Sequence, residues 1–198
     1  KRDLGGMDAI FGAPETIDAL CKDIIDHYEN NRADVLAGKA LVVAYSRAIA
    51  MKIYERMMEL RPNWTDKLGV VMTMGNQDPE EWFSVCGGAT HKKEMERKFK
   101  DENDPLKIAI VVDMWLTGFD VPSLATMYVF KPMKGHNLMQ AIARVNRVCR
   151  GKEGGLVVDY IGIARALKQA MRDYTNRDQR NYGDMDVSVT AYPRFLEK

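Results

Sequence analysis

The sequence is poor in the residues that build disulfide frameworks and metal centres. Its 198 residues include only three cysteines and three histidines. Cys21, Cys86 and Cys149 are widely spaced and form no CxxC pair, and the histidines lack the spacing of helical metal ligands. An odd number of isolated cysteines suits a reducing compartment and argues against a disulfide framework or a zinc ribbon. We therefore expect no structural metal in this chain.

The sequence also lacks long apolar runs and an excess of one charge. No run approaches the roughly 20 residues that a membrane span requires, and we expect no signal peptide. The formal net charge is +1, so any affinity for nucleic acid must come from local patches. The chain begins at Lys1 rather than Met, and we expect it to be a piece of a longer polypeptide.

Two nucleotide-binding motifs are absent as well. Neither GxxxxGK[ST] nor GxGxxG occurs, and such glycine-rich loops cradle the phosphates of a bound nucleotide. An acidic "DEND" segment at 101–104 precedes a predicted strand, whereas the acidic box of a helicase ends one. The chain therefore cannot hold a triphosphate by itself.

What the sequence has is a series of short apolar runs separated by helical patterns. Runs such as "LVVAY", "IAIVV" and "GLVV" do not alternate with polar residues, which is typical of parallel strands buried on both faces. Strands are predicted at 39–45, 68–72, 107–112, 125–130 and 155–158, and helices at 14–30, 46–60, 91–100, 137–149 and from 163 onward. This alternation predicts a doubly wound α/β domain with helices on both faces of the sheet.

Ligands of such sheets bind at the carboxyl ends of the strands. Ser46 follows the first strand and offers its hydroxyl either to a phosphate or as the cap of the next helix. After the third strand, "VVDMWLTGFDVPSL" contains Asp113, Gly118 and Asp120. Gly118 allows a backbone or ligand to approach closely, whereas the alternative is an ordinary turn in which Asp120 bonds its own backbone.

A polar stripe interrupts the helix predicted at 137–149. At 100° per residue, Gln140, Arg144 and Arg147 fall within about 60° of one another. The opposite side carries Leu138, Ile142, Val145 and Cys149. Two arginines without an acidic partner repel each other unless an anion neutralises them, and guanidinium suits phosphate. The alternatives are a solvated face, or a capping box in which Gln140 folds back on Asn137.

In this order, the segments resemble the second RecA-like domain of a superfamily 2 helicase or translocase. "LVVAYSR" resembles motif IV, "VVDMWLTGFDVP" motif V and "QAIARVNR" motif VI. The segment from "IAIVVDMWLTGFDVPSL" through "QAIARVNRV" to "GGLVVDYIGIA" is similar to the motor (R) subunit of type I restriction enzymes. The similarity covers residues 14–170 and is dense at 107–163.

The resemblance implies an ATP-driven machine that pulls duplex DNA past itself and then cleaves it. Two RecA-like domains clamp one ATP: the first brings the P-loop and the acidic magnesium box, and the second brings motifs V and VI. The endonuclease lies in a separate N-terminal domain. Since this chain lacks the P-loop, acidic box and nuclease carboxylates, we expect half of an ATPase site that is inactive alone. ATP and Mg²⁺ are expected in the full-length subunit, and no cofactor in this chain.

The resemblance assigns roles on the nucleotide side to motifs V and VI. Arg147 is the candidate arginine finger that reaches the γ-phosphate, and Arg144 is its partner on the same phosphates. Gln140 helps to position the interdomain site. Gly118 and Asp120 face the nucleotide.

On the DNA side, the resemblance points to hydroxyl and basic side chains. Thr117 would link the nucleotide side to a DNA phosphate, and Ser46, Arg47 and Thr73 are candidates for contacts to the DNA backbone. Phosphate contacts carry no sequence information, which suits a translocase that moves over any sequence.

The resemblance also divides the chain and indicates its partners. Residues 1–13 are expected to be an interdomain linker, 14–172 the RecA-like domain, and 173–198 a linker or the start of a following helical domain. The implied partners are double-stranded DNA, the first RecA-like and nuclease domains of the same polypeptide, and the modification and specificity subunits, in bacterial or archaeal cytoplasm. The alternatives are a non-catalytic nucleic-acid-binding module and a protein-interaction module with the same fold.

Overall fold

The computed structural model describes residues 4–116, 118–146, 154–162 and 187–191. The helices are α1 (Leu4–Phe11), α2 (Pro14–Asn31), α3 (Arg47–Leu60), α4 (Phe83–Cys86), α5 (Ala89–Lys100) and α6 (Gly135–Val145). The strands are β1 (Lys39–Ala44), β2 (Leu68–Val71), β3 (Ile108–Val111), β4 (Leu124–Phe130), β5 (Gly155–Asp159) and β6 (Val187–Ala191). None of the described helices is long and apolar enough to cross a bilayer.

The six strands form one parallel sheet in the order β2-β3-β1-β4-β5-β6. In β1, Ala40 and Val42 face the layer that contains α2 and α3, and Leu41 and Val43 face the layer that contains α5 and α6. Because both faces are covered by buried apolar clusters, the strands need no polar side. The predicted doubly wound α/β fold is confirmed in the described residues.

Residues at the ends of α2 and α3 explain why these two helices begin and end close to the predicted positions. Pro14 occupies the first turn of α2, where a missing N–H costs no helical hydrogen bond. Ser46 caps α3, and its Oγ accepts the Ile49 N–H at 3.3 Å. α3 ends at Leu60, two residues before Pro62, which cannot continue a helix.

The start of α6 differs from the expectation. α6 begins at Gly135, and its N-cap residue is Lys134, whose side chain makes no capping hydrogen bond. Asn137 therefore lies inside the first turn instead of capping it. The capping box between Asn137 and Gln140 is wrong, and Gln140 bonds a different residue, as described below.

The two ends of the chain also carry structure that the pattern does not predict. Val187–Ala191 pairs with β5 in parallel as β6, a strand that the sequence pattern does not predict. α1 lies within the expected linker at 1–13, and the Phe11 ring contacts Tyr45 and Phe130 at centroid distances of 5.2 and 5.1 Å. The helix predicted from 163 onward lies outside the described residues.

Burial makes Cys21 and Cys86 poor nucleophiles. It raises the pKa of Cys21 to about 12 and that of Cys86 to about 11. Since the thiolate is the reactive form, we expect iodoacetamide at pH 8 to leave both thiols unmodified in the native chain and to alkylate both after denaturation. Peptide mass spectrometry measures the two rates. Native alkylation of either thiol at the denatured rate would contradict its burial.

Candidate functional site

The carboxyl ends of β1, β3 and β4 are neighbours at one edge of the sheet. The segments that follow these strands turn onto opposite faces of the sheet. α3 follows β1 onto one face, whereas the segments that follow β3 and β4 cross the other face. Such a switch point opens a crevice in a parallel sheet. Here it is a groove of about 460 Å³, the switch-point groove, whose lining includes Ser46, Arg47, Asp78, Asp113 and Lys131.

Two candidate DNA contacts in this groove are hydrogen-bonded to acidic side chains. The Ser46 Oγ donates to Asp8 Oδ1 at 2.8 Å, and the Arg47 Nε donates to Asp78 Oδ2 at 2.6 Å. Asp78 also accepts the Gly75 N–H at 2.6 Å. Burial raises the pKa of Asp78, but the hydrogen bonds from Arg47 and Gly75 outweigh it and hold this pKa below its usual value. A Cβ at position 75 would lie 2.6 Å from Arg47 Nη2, so the absence of a side chain at Gly75 leaves room for the Arg47 guanidinium.

A second ion pair spans the carboxyl end of β1. Lys131 follows β4 and Asp113 lies just beyond β3, the two strands that flank β1. The Lys131 Nζ contacts Asp113 Oδ1 and also donates to the Val112 carbonyl at 3.2 Å. The Lys131 side chain is 20% exposed and that of Asp113 is 83% exposed. The ammonium is therefore held against the sheet, with a carboxylate on its solvent side.

Thr73 lies at the carboxyl end of β2 on the same edge of the sheet. Its Oγ1 accepts a hydrogen bond from Lys92 Nζ at 3.1 Å and donates to Met114 Sδ at 3.7 Å. These contacts place Thr73 beside the segment that follows β3. They also bring a further cation, Lys92, to this edge.

The loop between β3 and β4 is held on the sheet by stacked aromatic rings. The Trp115 and Phe119 rings lie 4.2 Å apart with 6° between their planes, and both are buried. Phe99 of α5 packs against them at 5.2 and 6.2 Å. Gly118 between them is exposed and has φ +69°, which favours glycine. The loop thus presents Gly118 and Asp120 at the surface.

α6 buries one side and carries the polar stripe on the other. The buried residues are Leu138, Ala141, Ile142 and Val145, which confirms the predicted core-facing side for Leu138, Ile142 and Val145. The fourth predicted residue, Cys149, lies outside the described residues. On the outer side, the Gln140 Nε2 lies 2.8 Å from the His136 Nε2. The Arg144 Nε is buried and has no hydrogen-bond acceptor among the residues that the structure describes. Two further candidates, Arg147 and Thr117, lie outside the described residues.

The end of α6 lies away from the switch-point groove. A helix that joins two parallel strands runs back from the carboxyl end of the first to the amino end of the second. Accordingly, Val145 lies beside Gly155, the first residue of β5, where an added Cβ would be 2.4 Å from Val145 Cγ1. The site residues therefore form two groups: Ser46, Arg47 and Thr73 at the carboxyl edge, and Gly118, Asp120, Gln140 and Arg144 over one face of the sheet.

The close contact between α6 and β5 can be tested by adding a methyl group. Gly155→Ala is expected to lower the free energy of unfolding by about 1–3 kcal/mol, because the core here is already filled. A Cβ at this position would lie 2.5 Å from the Val145 carbonyl oxygen. Gly88→Ala is the control, since its Cβ meets nothing closer than 3.8 Å, and we expect a loss of at most about 1 kcal/mol because Ala is a poorer N-cap of α5 than Gly. Urea unfolding followed by circular dichroism gives both values, and equal values would contradict the contact.

Sequence patterns did not assign a role to three participants, Asp78, Lys131 and His136, although Lys131 was expected at the carboxyl end of a strand. Asp78 and Lys131 meet their partners over separations of 31 and 18 residues, and the strand order alone brings them together. His136 lies one helical turn before Gln140, a spacing at which helical side chains interact. That signal is readable in the sequence once the helix start is placed at Gly135 instead of Asn137.

The parallel sheet with helices on both faces is a RecA-like α/β domain, as the motifs led us to expect. Residues 24–162 match the family described as type I restriction enzyme subunit R domain 3. This match covers more than two thirds of the chain, and the chain belongs to that family.

Named relatives agree with this assignment. The endonuclease subunit of the type I restriction enzyme HindI of Haemophilus influenzae is 45% identical over 194 residues, which cover 93% of this chain and 18% of that protein. A proposed type I endonuclease subunit, MjaIXP of Methanocaldococcus jannaschii, is 43% identical over 201 residues, which cover 100% of this chain and 19% of that protein. The chain thus spans about a fifth of the length of these relatives.

A solved structure supports the fold. A fragment of a proposed HsdR subunit of a type I restriction enzyme from Vibrio vulnificus superposes with a TM-score of 0.61 at 17% identity. The superposition covers 88% of this chain and 32% of that one. At this level of identity, the likeness concerns the fold.

Proposed function

We propose that the chain is the second RecA-like domain of an ATP-dependent double-stranded DNA translocase, in subunit R of a type I restriction enzyme. In this proposal it supplies motifs IV, V and VI, and the first RecA-like domain of the same polypeptide supplies the P-loop and the acidic box. The nuclease domain and the modification and specificity subunits are its further partners. The family and the relatives named as endonuclease subunits support this assignment.

The observation that carries the proposal is the state of Arg144. Its Nε is buried on the outer side of α6 and lacks an acceptor among the described residues. A buried donor without a partner is costly, and charged groups cost more than neutral ones. Guanidinium fits phosphate oxygens in particular, so a phosphate beside α6 is the ligand that this side chain suits. The Arg144 guanidinium therefore fits the phosphates of an ATP that is held mainly by another domain.

Within this proposal, the group of residues over the face of the sheet that α6 covers acts on the nucleotide. Arg147 reaches the γ-phosphate as the arginine finger, and Arg144 binds the same phosphates. Gln140 positions the interdomain site, and Gly118 and Asp120 face the nucleotide from the loop between β3 and β4. Arginine groups stabilise the charge that spreads over the phosphoryl oxygens during hydrolysis. Mg²⁺ would be held by the acidic box of the first domain.

The carboxyl edge of the sheet acts on DNA in this proposal. Ser46, Arg47 and Thr73 lie along it and offer hydroxyl and guanidinium donors to backbone phosphates. Thr117 would connect this edge to the nucleotide side. The separation of the two groups across the domain allows DNA and ATP to be bound at the same time.

Complementation between separate domains tests the proposal. The isolated chain is expected to show no ATP turnover with duplex DNA, and turnover is expected when the first RecA-like domain is added in trans. Turnover by the isolated chain would contradict the half-site. Rescue in trans argues against a protein-interaction module. Salt-dependent DNA binding that is lost when Arg144 and Arg147 are replaced would instead favour a non-catalytic binding module, because the motor leaves these arginines for ATP.

A further inference from the structure

Each phosphate-binding candidate in the switch-point groove is already bonded to a carboxylate of the same chain. Ser46 donates to Asp8 at 2.8 Å and Arg47 to Asp78 at 2.6 Å. Lys131, which has no role in the function proposed above, contacts Asp113. The carboxylates come from three different segments: α1, the loop after β2 and the loop after β3. A DNA phosphate that approaches these three side chains therefore competes with carboxylates of the same chain.

The geometry of Lys131 suits such an exchange. Its Nζ donates to the Val112 carbonyl at 3.2 Å, and this bond fixes the ammonium against the sheet without neutralising its charge. An ammonium has three donors, so the carbonyl bond survives a change of anionic partner. Asp113 is 83% exposed and lies on the solvent side of the ammonium, from which a phosphate would approach.

Arg47 has a similar arrangement. Its Nε donates to Asp78, whereas a guanidinium has five N–H donors in all. The Arg47 side chain is 45% exposed, so it is accessible from the groove. Asp78 is fixed independently by the Gly75 N–H at 2.6 Å. Asp78 thus occupies one anion position beside Arg47, as Asp113 does beside Lys131.

We propose that Lys131 is a further DNA-phosphate-binding residue of the switch-point groove, and that Asp113 and Asp78 compete with DNA for Lys131 and Arg47. This inference rests on the proposed function, since it assumes that DNA runs along the carboxyl edge. It has a distinctive consequence. Removing a competing carboxylate strengthens DNA binding, whereas removing its cationic partner weakens it. An ion pair that lies away from the DNA and only braces the end of β1 gives the same sign for both partners.

The experiment measures binding of the 198-residue chain to a fluorescent 20-base-pair duplex by anisotropy between about 50 and 200 mM KCl, the range over which phosphate contacts respond strongly to salt. Asp113→Asn and Asp78→Asn are expected to strengthen binding on the order of tenfold at the lowest salt, as for one charge-assisted contact. Lys131→Gln is expected to weaken it similarly and to reduce the slope of log K against log salt by about 1.

Matched controls come from an exposed ion pair on α5. Glu94→Gln changes the net charge as Asp113→Asn does, and Arg97→Gln changes it as Lys131→Gln does. Both controls are expected to change the affinity by less than about twofold, because neither residue lines the switch-point groove. Circular dichroism of each variant checks that it is folded. If Lys131→Gln does not fold, the sign of the Asp113→Asn effect decides the matter.

The outcomes separate the two levels of inference. Weaker binding by both Asp113→Asn and Lys131→Gln would overturn the competition and leave Lys131 as a brace. If Arg47→Gln still weakens binding in that case, the DNA edge of the proposed function stands. No effect of Arg47→Gln and Ser46→Ala, or no salt-dependent binding by the wild-type chain, would overturn the DNA edge and the inference with it.

Discussion

Replacing Arg147 with alanine in a full-length subunit R that contains this domain is expected to lower DNA-stimulated ATP hydrolysis by about 10³- to 10⁵-fold. Arg147 lies outside the described residues, and its role follows from the resemblance and from the polar stripe predicted for the helix at 137–149. The loss should fall on kcat more than on KM, since an arginine finger acts on charge that develops in the transition state. The variant should remain folded by circular dichroism.

Arg144 provides the structural test of the same idea. Arg144→Ala is expected to lower kcat and also to weaken ATP binding, because the buried Nε of its guanidinium lacks an acceptor among the described residues. Arg144→Lys should not restore activity, since an ammonium lacks the planar fork that pairs with phosphate oxygens. Arg97→Ala, on the exposed face of α5, is the control and should turn over ATP at the wild-type rate. Wild-type turnover by Arg147→Ala would remove Arg147 from the mechanism.

The sheet was predictable from the sequence because buried parallel strands appear as short continuous apolar runs. A strand such as β1 is buried on both faces, and apart from Lys39 at its start it is apolar throughout, a pattern typical of short parallel strands. The core side of α6 was predictable for a related reason, since the burial of Leu138, Ile142 and Val145 requires helical spacing. These features depend on local periodicity alone.

Features that depend on distant partners were not predictable in this way. The bond between Lys131 and Asp113 exists because β1 lies between β3 and β4, and no local pattern encodes that order. β6 was not predicted, because its sequence "VSVTA" alternates between apolar and polar residues and follows a polar segment. Such a pattern is typical of a surface strand or a linker. The start of α6 was misplaced because Lys134 is a poor capping residue and Gly135 is an unfavourable first helical residue.

Trp115→Ala is expected to lower the free energy of unfolding by about 3–5 kcal/mol, the usual cost of removing a buried aromatic ring. Trp115 is buried against Phe119 and Phe99, and the loop that it anchors carries Gly118 and Asp120. Phe83→Ala is the matched control, because the Phe83 side chain is 58% exposed and its loss should change stability by at most about 0.5 kcal/mol. Urea unfolding followed by tryptophan-independent far-ultraviolet circular dichroism measures both variants.

The backbone at Trp115 allows a sharper version of this test. Its φ is +66°, in the left-handed region where a side chain costs energy and glycine does not. Both Trp115→Ala and Trp115→Gly lose the ring, but only the glycine variant also loses the strain. We therefore expect Trp115→Gly to be more stable than Trp115→Ala by about 1 kcal/mol, the reverse of the order found at helix interiors. If Trp115→Ala is instead more stable than Trp115→Gly, as at helix interiors, the ring does not hold the loop in its left-handed turn. Gly118 and Asp120 would then owe their position to other contacts.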